Sequence, residues 1–168
     1  MKPIELYPMG PQPDFDKLLR WLANAEVRFI LVGGLAVNAW GLVRGATHVD
    51  VVADSDPENL GRLAAVAARA KTLTRAPQAR SQAAIAALLQ SGESVEIDTA
   101  LGPLNVVQGY PGVPPYAELR ARAVEVEAMT GTVAICSLED LRAMKHAAGR
   151  TRDLVDLHGL DIAHSPDD

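Results

Sequence analysis

Residues 29–54 read FILVGGLAVNAWGLVRGATHVDVVAD, and this stretch decides the fold. A short apolar run rich in β-formers ends at Gly33-Gly34, which predicts a buried strand over residues 27–32 and a short helix over 35–42. Two glycines between a strand and a helix let backbone N–H groups approach an anion such as a triphosphate. An ordinary tight turn is the alternative interpretation, because a glycine pair alone specifies little.

His48 and Asp50 follow on a second predicted strand, over residues 47–53. Residues two apart on a strand point to the same face, so both side chains are expected to project toward the glycine turn. Three interpretations are open for His48. It is a packing residue hydrogen-bonded to Asp50, a ligand of a softer ion such as Mn²⁺ or Zn²⁺, or a general base.

The stretch resembles the core motif of the nucleotidyltransferase superfamily, specifically the small bacterial members related to AbiEii-type and mini-nucleotidyltransferase toxins. In that family a Gly-Gly or Gly-Ser turn is followed by Arg, a short spacer and Asp-x-Asp on the next strand. The resemblance covers nearly the whole chain, because it continues through residues 56–60, 102–107 and 111–114 to a closing motif that contains Leu138-Glu139-Asp140-Leu141, Lys145, Arg150 and Arg152-Asp153-Leu154.

The resemblance implies which residues bind the nucleotide. Gly33 and Gly34 would form the turn beside the phosphates, and Arg44, Lys145 and Arg152 would contact the phosphates. The alternative for each cation is an ordinary solvated position on a helix or loop. A local cluster of basic residues near the end of an acidic chain favours an anion site for Lys145 and Arg152.

The resemblance also implies a metal site, but one with altered ligands. Three carboxylates of the family hold two Mg²⁺ ions for in-line nucleotidyl transfer, and by position they fall on His48, Asp50 and Asn105. Mg²⁺ prefers charged oxygen ligands, so the divalent site for Mg²⁺ or Mn²⁺ is expected to be weakened or lost. If Leu101-Gly102 forms a two-residue turn, Asp98 pairs with Asn105 and supplies a carboxylate. A one-residue shift would instead leave Asp98 in solvent. The predicted catalytic set is therefore Asp50, His48 and Asp98, with Asn105 as a further metal ligand.

The rest of the pattern predicts a single α+β domain over residues 1–163, and the resemblance implies that this domain has the nucleotidyltransferase fold. We expect a mixed sheet of four or five strands, flanking helices and a C-terminal helical pair. Helix N-caps are predicted at Asp14, Asp56 and Ser137, with Pro57 at the first helical position. The further predicted elements are an extended segment over 1–13, a helix from Asp14 to about residue 25, a helix from Pro57 to about 70, a loop over 74–78, a helix over 81–90, strand-like runs at 95–100, 104–108, 124–128 and 132–135, helices over 138–148 and 152–160, and a disordered tail over 164–168.

Composition limits the functional classes. The 168 residues are 48% hydrophobic and 22% charged, which is typical of one folded globular domain. A net charge of −5 argues against indiscriminate binding to nucleic acids or anionic membranes. The prolines of the first thirteen residues interrupt any signal-peptide pattern, and no apolar run approaches a membrane span, so a cytoplasmic protein is expected. The lone Cys136 is interpreted as a small core residue.

Two functions follow from the resemblance. The first is an enzyme that binds a nucleoside triphosphate and transfers the nucleoside monophosphate to an RNA end, such as that of a tRNA, or to a protein, as the toxin paired with an antitoxin. The alternative is a catalytically degenerate member that binds a nucleotide or a partner. His48 and Asn105 motivate this alternative, because neither supplies the charge that Mg²⁺ prefers.

Overall fold

A six-stranded mixed sheet organises the residues that this computed structural model describes, which are 14–70, 81–128 and 131–166. The strands are β1 (Phe29–Val32), β2 (Val49–Ala53), β3 (Val95–Thr99), β4 (Gly102–Val106), β5 (Val124–Ala128) and β6 (Gly131–Ile135). Their order across the sheet is β3-β4-β2-β1-β6-β5. The pairs β1–β6 and β2–β4 are parallel, and the other neighbours are antiparallel.

Helices cover both faces of this sheet, so the α+β class is confirmed. Those in the described residues are α1 (Phe15–Asn24), α2 (Gly33–Ala39), α3 (Pro57–Arg69), α4 (Gln82–Gln90), α5 (Tyr116–Arg122), α6 (Leu138–Ala148) and α7 (Thr151–Ala163). The last two pack against each other as the predicted C-terminal pair. None of the described helices is long and apolar enough to cross a membrane.

The predicted helix starts are confirmed by their capping contacts. Asp14 accepts a hydrogen bond from the backbone N–H of Lys17 at 2.9 Å, and Ser137 accepts one from Asp140 at 3.0 Å. Asp56 caps α3, with Pro57 as its first residue. Each side chain satisfies an N–H group that has no partner within its own helix, which fixes where the helix begins.

Alternation along the strands separates two apolar cores. On β2, Val49 and Val51 pack into the core that α1, α3 and α4 cover, whereas Val52 points to the opposite core beneath α2, α5, α6 and α7. Asp50 lies on the same face as Val52, because side chains of a strand alternate with a period of two. Cys136 is a buried residue of the second core, and burial raises the pKa of its thiol to about 12.

The expected strand count of four or five is wrong, because all six strand-like runs join the sheet. The hairpin of β5 and β6 extends it beyond β1, where Leu31 pairs with Ile135 in parallel. The backbone N–H of Cys136 donates to the carbonyl of Leu31 at 3.1 Å and continues this pairing. The sequence shows the hairpin but not its parallel neighbour, because that neighbour lies about a hundred residues earlier in the chain.

Several boundaries also differ from those expected, two of them near the cleft or the chain end. Helix α2 begins at Gly33 rather than at residue 35, so both glycines belong to its first turn. Residues 164–166 lie within the described part of the chain, where the His164 ring lies 2.6 Å from the Trp40 carbonyl. The predicted extended segment 1–13, the predicted loop 74–78 and the last two residues lie outside the described residues.

Candidate active-site cleft

A cleft of about 710 Å³ lies between the sheet and the helical pair α6–α7. Its sheet wall carries polar side chains, namely those of His48, Asp50, Glu96 and Asn105. Its helical wall carries charged side chains, namely those of Lys145, Arg150, Arg152 and Asp153. This volume is in the range of small-molecule sites, about 300–1,000 Å³.

The sheet wall is a row of residues that pair directly across four strands. Val32 of β1 pairs with Asp50 of β2, Asp50 with Asn105 of β4, and Asn105 with Glu96 of β3. Cross-strand partners share a face of the sheet. The opposite face of the same strands is apolar, so the row places its polar groups in the cleft without exposing the core.

Asp50 contacts its neighbours on the sheet wall through both carboxylate oxygens. Its Oδ1 accepts a hydrogen bond from Asn105 Nδ2 at 2.9 Å, and its Oδ2 lies 3.1 Å from His48 Nε2. The other ring nitrogen of His48, Nδ1, lies 2.9 Å from the hydroxyl of Thr47. The prediction that His48 and Asp50 project together is therefore confirmed, and both ring nitrogens of His48 have partners.

Gly33 places the start of α2 directly against Asp50. Its φ is +65°, and a Cβ atom at this position would overlap the Asp50 carboxyl group. Only glycine allows both the left-handed conformation and this close approach. Gly33 lines the cleft, whereas a Cβ at Gly34 would face the Arg44 guanidinium at 3.2 Å. The two glycines of the predicted turn thus adjoin different partners.

Arg44 forms an ion pair with Asp156 of α7. Its Nε lies 2.8 Å from Asp156 Oδ1, and its Nη2 donates to Oδ2 at 2.9 Å. The Arg44 side chain is 28% exposed and Asp156 is only 3% exposed. Arg44 is not among the residues that line the cleft. Its guanidinium ties the loop before β2 to the C-terminal helix.

Lys145 lines the cleft but is neutralised by two buried carboxylates. Its Nζ lies 3.1 Å from Asp153 and 2.9 Å from Asp156. The Lys145 side chain is 6% exposed. A buried ammonium with two carboxylate partners holds α6 to α7 and offers little positive field to a ligand.

The two arginines at the start of α7 supply the positive charge of the helical wall. Arg150 is largely exposed, and its Nε donates to Asp153 at 2.8 Å. That hydrogen bond raises the pKa of Arg150, and the charges of Asp153, Asp50 and Tyr110 raise it further. Arg152 is exposed and makes no ion pair within the described part of the chain. Arg152 is therefore the cation of this wall most open to an incoming anion.

The register expected for Asp98 is wrong. Asp98 pairs with Pro103, and Glu96 takes the predicted position opposite Asn105. The turn consists of Ala100 and Leu101 rather than Leu101-Gly102, because the Thr99 hydroxyl accepts the Leu101 N–H at 3.1 Å and donates to the Gly102 carbonyl at 2.7 Å.

Glu96 is therefore a cleft residue that sequence reasoning missed. The observed pairing of β3 with β4 is shifted by two residues from the expected one. Asp98 lies on the same face of β3 as Glu96, but it is not among the residues that line the cleft. Thr99, which precedes the turn, is the residue of the sequence that favours the observed register, because a threonine hydroxyl can form hydrogen bonds with nearby backbone groups.

The donor set of the sheet wall is mixed. Asp50 gives a carboxylate, His48 an imidazole and Asn105 an amide, and Glu96 adds a second carboxylate at the end of the row. Within residues 14–70, 81–128 and 131–166, no three His, Cys, Asp or Glu side chains are grouped closely enough to hold a metal ion. The chemistry of His48 and Asp50 suits Mn²⁺ better than Mg²⁺, because imidazole is a softer ligand than oxygen.

The sequence matches no protein-family model and none of the curated proteins. The resemblance to nucleotidyltransferases therefore rests on the motif residues of the sequence alone.

Proposed function

We propose that this protein binds a nucleoside triphosphate in the cleft and transfers the nucleoside monophosphate to a hydroxyl of an RNA end or of a protein. One observation carries the proposal. The His48 ring lies in contact with the Asp50 carboxylate, at 3.1 Å, on one wall, and the exposed Arg152 lies on the other wall. Nucleotidyl transfer needs such an arrangement, with a proton acceptor on one side and positive charge for the phosphates on the other.

In this reaction the acceptor hydroxyl attacks the α-phosphorus of the triphosphate. The new bond joins the acceptor oxygen to the α-phosphorus, the bond to the bridging oxygen of the β-phosphate breaks, and pyrophosphate leaves with the electron pair. The proton of the acceptor hydroxyl passes to the pair of His48 and Asp50 when no metal ion is bound there, and to solvent when the pair holds one. Arg152 stabilises the charge of the phosphates, because a guanidinium is matched in geometry to phosphate oxygens.

A divalent ion would be held by the side chains of Asp50 and His48 and by the amide oxygen of Asn105. When bound, such an ion neutralises charge on the phosphates and lowers the pKa of the attacking hydroxyl. Asp50 is the one carboxylate among these three ligands. The affinity of the site for a divalent ion is therefore expected to be lower than that of a site built from three carboxylates.

The test is incubation with each of the four labelled nucleoside triphosphates, with Mn²⁺ or Mg²⁺, and with tRNA or total protein as acceptor. We expect label to become attached to one acceptor class. The Asp50→Asn variant should lose the transfer, whereas Asp161→Asn should retain it, because Asp161 is exposed and pairs with Arg142 away from the cleft. An absence of transfer with every nucleotide, metal and acceptor would contradict the proposal.

A second candidate function, nucleotide binding without chemistry, is favoured by the contacts of Asp50. Both of its oxygens already have partners, Asn105 and His48, which compete with a metal ion. In this case the wild type binds the triphosphate but transfers nothing, and His48→Asp combined with Asn105→Asp creates metal-dependent transfer. A wild type as active as the double variant would exclude this candidate.

A further inference from the structure

Tyr110 is an exposed aromatic residue at the cleft. Tyr110 is 60% exposed as a residue, and it is among the residues that line the cleft. An exposed tyrosine offers a large flat apolar surface at a small cost in conformational entropy when it binds a ligand.

A tight turn holds Tyr110 in place. The backbone N–H of Val113 donates to the Tyr110 carbonyl at 3.2 Å, which closes a four-residue turn. Pro111 and Gly112 occupy its centre, and Gly112 has a φ of +86°, the pattern of a type II turn. A Cβ at Gly112 would overlap the side chain of Ala147, so the turn lies directly on α6.

The part of the cleft beside this turn is apolar. Val113 and Ala147 line it with Tyr110, and Met144 lies on the same face of α6 as Ala147, three residues away. We call Tyr110, Val113, Met144 and Ala147 the apolar shelf. None of the four carries a charge. The charged residues that line the cleft, namely Asp50, Glu96, Lys145, Arg150, Arg152 and Asp153, all lie outside the shelf.

We propose that the apolar shelf binds the aromatic base of the nucleotide, with the base stacked on the ring of Tyr110 and the phosphates directed to Arg152. This inference rests on the proposed function and adds which part of the substrate each part of the cleft takes. Adenine and guanine should bind about equally well, because the apolar side chains of the shelf cannot read the polar edges of a base. Both should bind better than cytosine or uracil, because a purine buries more stacking surface.

The test compares the affinities of ATP, CTP and inorganic tripolyphosphate by calorimetry, in the same buffer with Mn²⁺. The variants are Tyr110→Ala, Tyr110→Phe and a control, Leu88→Ala, which shortens an exposed apolar side chain of α4 outside the cleft. In the wild type and the control we expect ATP to bind on the order of 10-fold more tightly than tripolyphosphate. Tyr110→Phe should keep this ratio because it keeps the ring.

Tyr110→Ala should bring the ratio of the affinity for ATP to that for tripolyphosphate close to one. The affinity for tripolyphosphate itself should stay unchanged. Equal affinity of the wild type for ATP and tripolyphosphate, or a ratio that Tyr110→Ala leaves unchanged, would overturn the base site and leave the phosphate site standing. If neither ATP nor tripolyphosphate binds, both the base site and the proposed function are wrong.

Discussion

The α-carbon of Gly33 lies against the carboxyl group of Asp50, so closely that no side chain fits between them. This contact joins the first turn of α2 to the start of β2. The same carboxylate accepts a hydrogen bond from Asn105 and lies against the His48 ring. A displacement of Asp50 would therefore disturb the whole sheet wall.

Gly33→Ala is expected to destabilise the protein and to abolish nucleotide binding. The new methyl group would push the Asp50 carboxylate away from both of its partners, and alanine is also strained at a φ of +65°. Gly41→Ala is the matched control, because Gly41 has a φ of +100° and nothing within 4 Å of an added Cβ. The free energy of unfolding of the control should fall by about 1–2 kcal/mol through backbone strain alone. That of Gly33→Ala should fall further. Urea unfolding measures both, and equal losses would contradict the steric effect.

Arg44→Ala should act on stability, because Arg44 forms a hydrogen-bonded ion pair with the buried Asp156. Removal of one partner leaves a buried carboxylate with Lys145 alone, and breaking a buried ion pair costs about 3–5 kcal/mol. Arg28→Ala is the control. Arg28 also pairs with an aspartate, Asp54, but its side chain is 44% exposed, so Arg28→Ala should lose much less stability than Arg44→Ala. Similar midpoints of urea unfolding for the two variants would show that the Arg44 pair is not structural.

Asp153 should make stability dependent on pH in the acid range. Burial raises the pKa of its carboxyl, but hydrogen bonds from Arg150 and Lys145 outweigh this and hold the pKa below its ordinary value. The charged form is thus favoured by folding. The charged carboxylate of Asp153 makes its full contribution to the free energy of unfolding above the unfolded-state pKa of about 4. This contribution is lost as pH falls through the lower folded-state pKa.

The measurement is urea unfolding of the wild type and Asp153→Asn between pH 6 and pH 3. Asp153→Asn should be less stable at pH 6, and its stability should fall less steeply below about pH 4, because one titrating group is gone. Asp54→Asn removes a carboxyl whose pKa is also lowered, by a hydrogen bond from Arg28, but on a more exposed pair. Asp54→Asn should therefore change the pH dependence of the free energy of unfolding less than Asp153→Asn does. Parallel curves for the wild type and Asp153→Asn would refute the linkage.

Local patterns made the elements and the pairing of His48 with Asp50 predictable. Strand alternation needs only neighbouring residues, and the caps at Asp14 and Ser137 depend on contacts three residues away. The register of Asp98 was not predictable from the same patterns. It depends on the hydroxyl of Thr99, which moves the turn by one position and puts Glu96 opposite Asn105.

The partners of the basic residues were the other feature that the sequence did not reveal. Arg44 and Lys145 match the phosphate contacts that the resemblance implies, and both meet Asp156 in the structure. Residues 44 and 156 are far apart in the chain, so only the tertiary fold brings them together. A basic residue in a sequence motif therefore indicates that a cation is present, but the residues around it in the folded protein determine whether it binds a ligand or a carboxylate of the same chain.

Arg152→Ala should weaken nucleotide binding without a comparable loss of stability. Arg152 lines the cleft, is exposed, and has no ion-pair partner among the described residues, so its charge is open to the phosphates. A hydrogen bond to a charged group contributes about 1.5–3 kcal/mol, which corresponds to a loss of affinity of about 10-fold or more. Calorimetry with ATP at low and at moderate salt measures the change.

Arg142→Ala is the matched control for that prediction. Arg142 lies on α6 outside the cleft, where it pairs with Asp161 at 3.1 Å. Both variants remove one positive charge, so a general electrostatic effect would weaken ATP binding equally in the two. A specific contact instead predicts a large effect for Arg152→Ala, a small one for Arg142→Ala, and a weaker salt dependence of ATP binding only in the former, because salt screens the direct contact between the guanidinium and the phosphates.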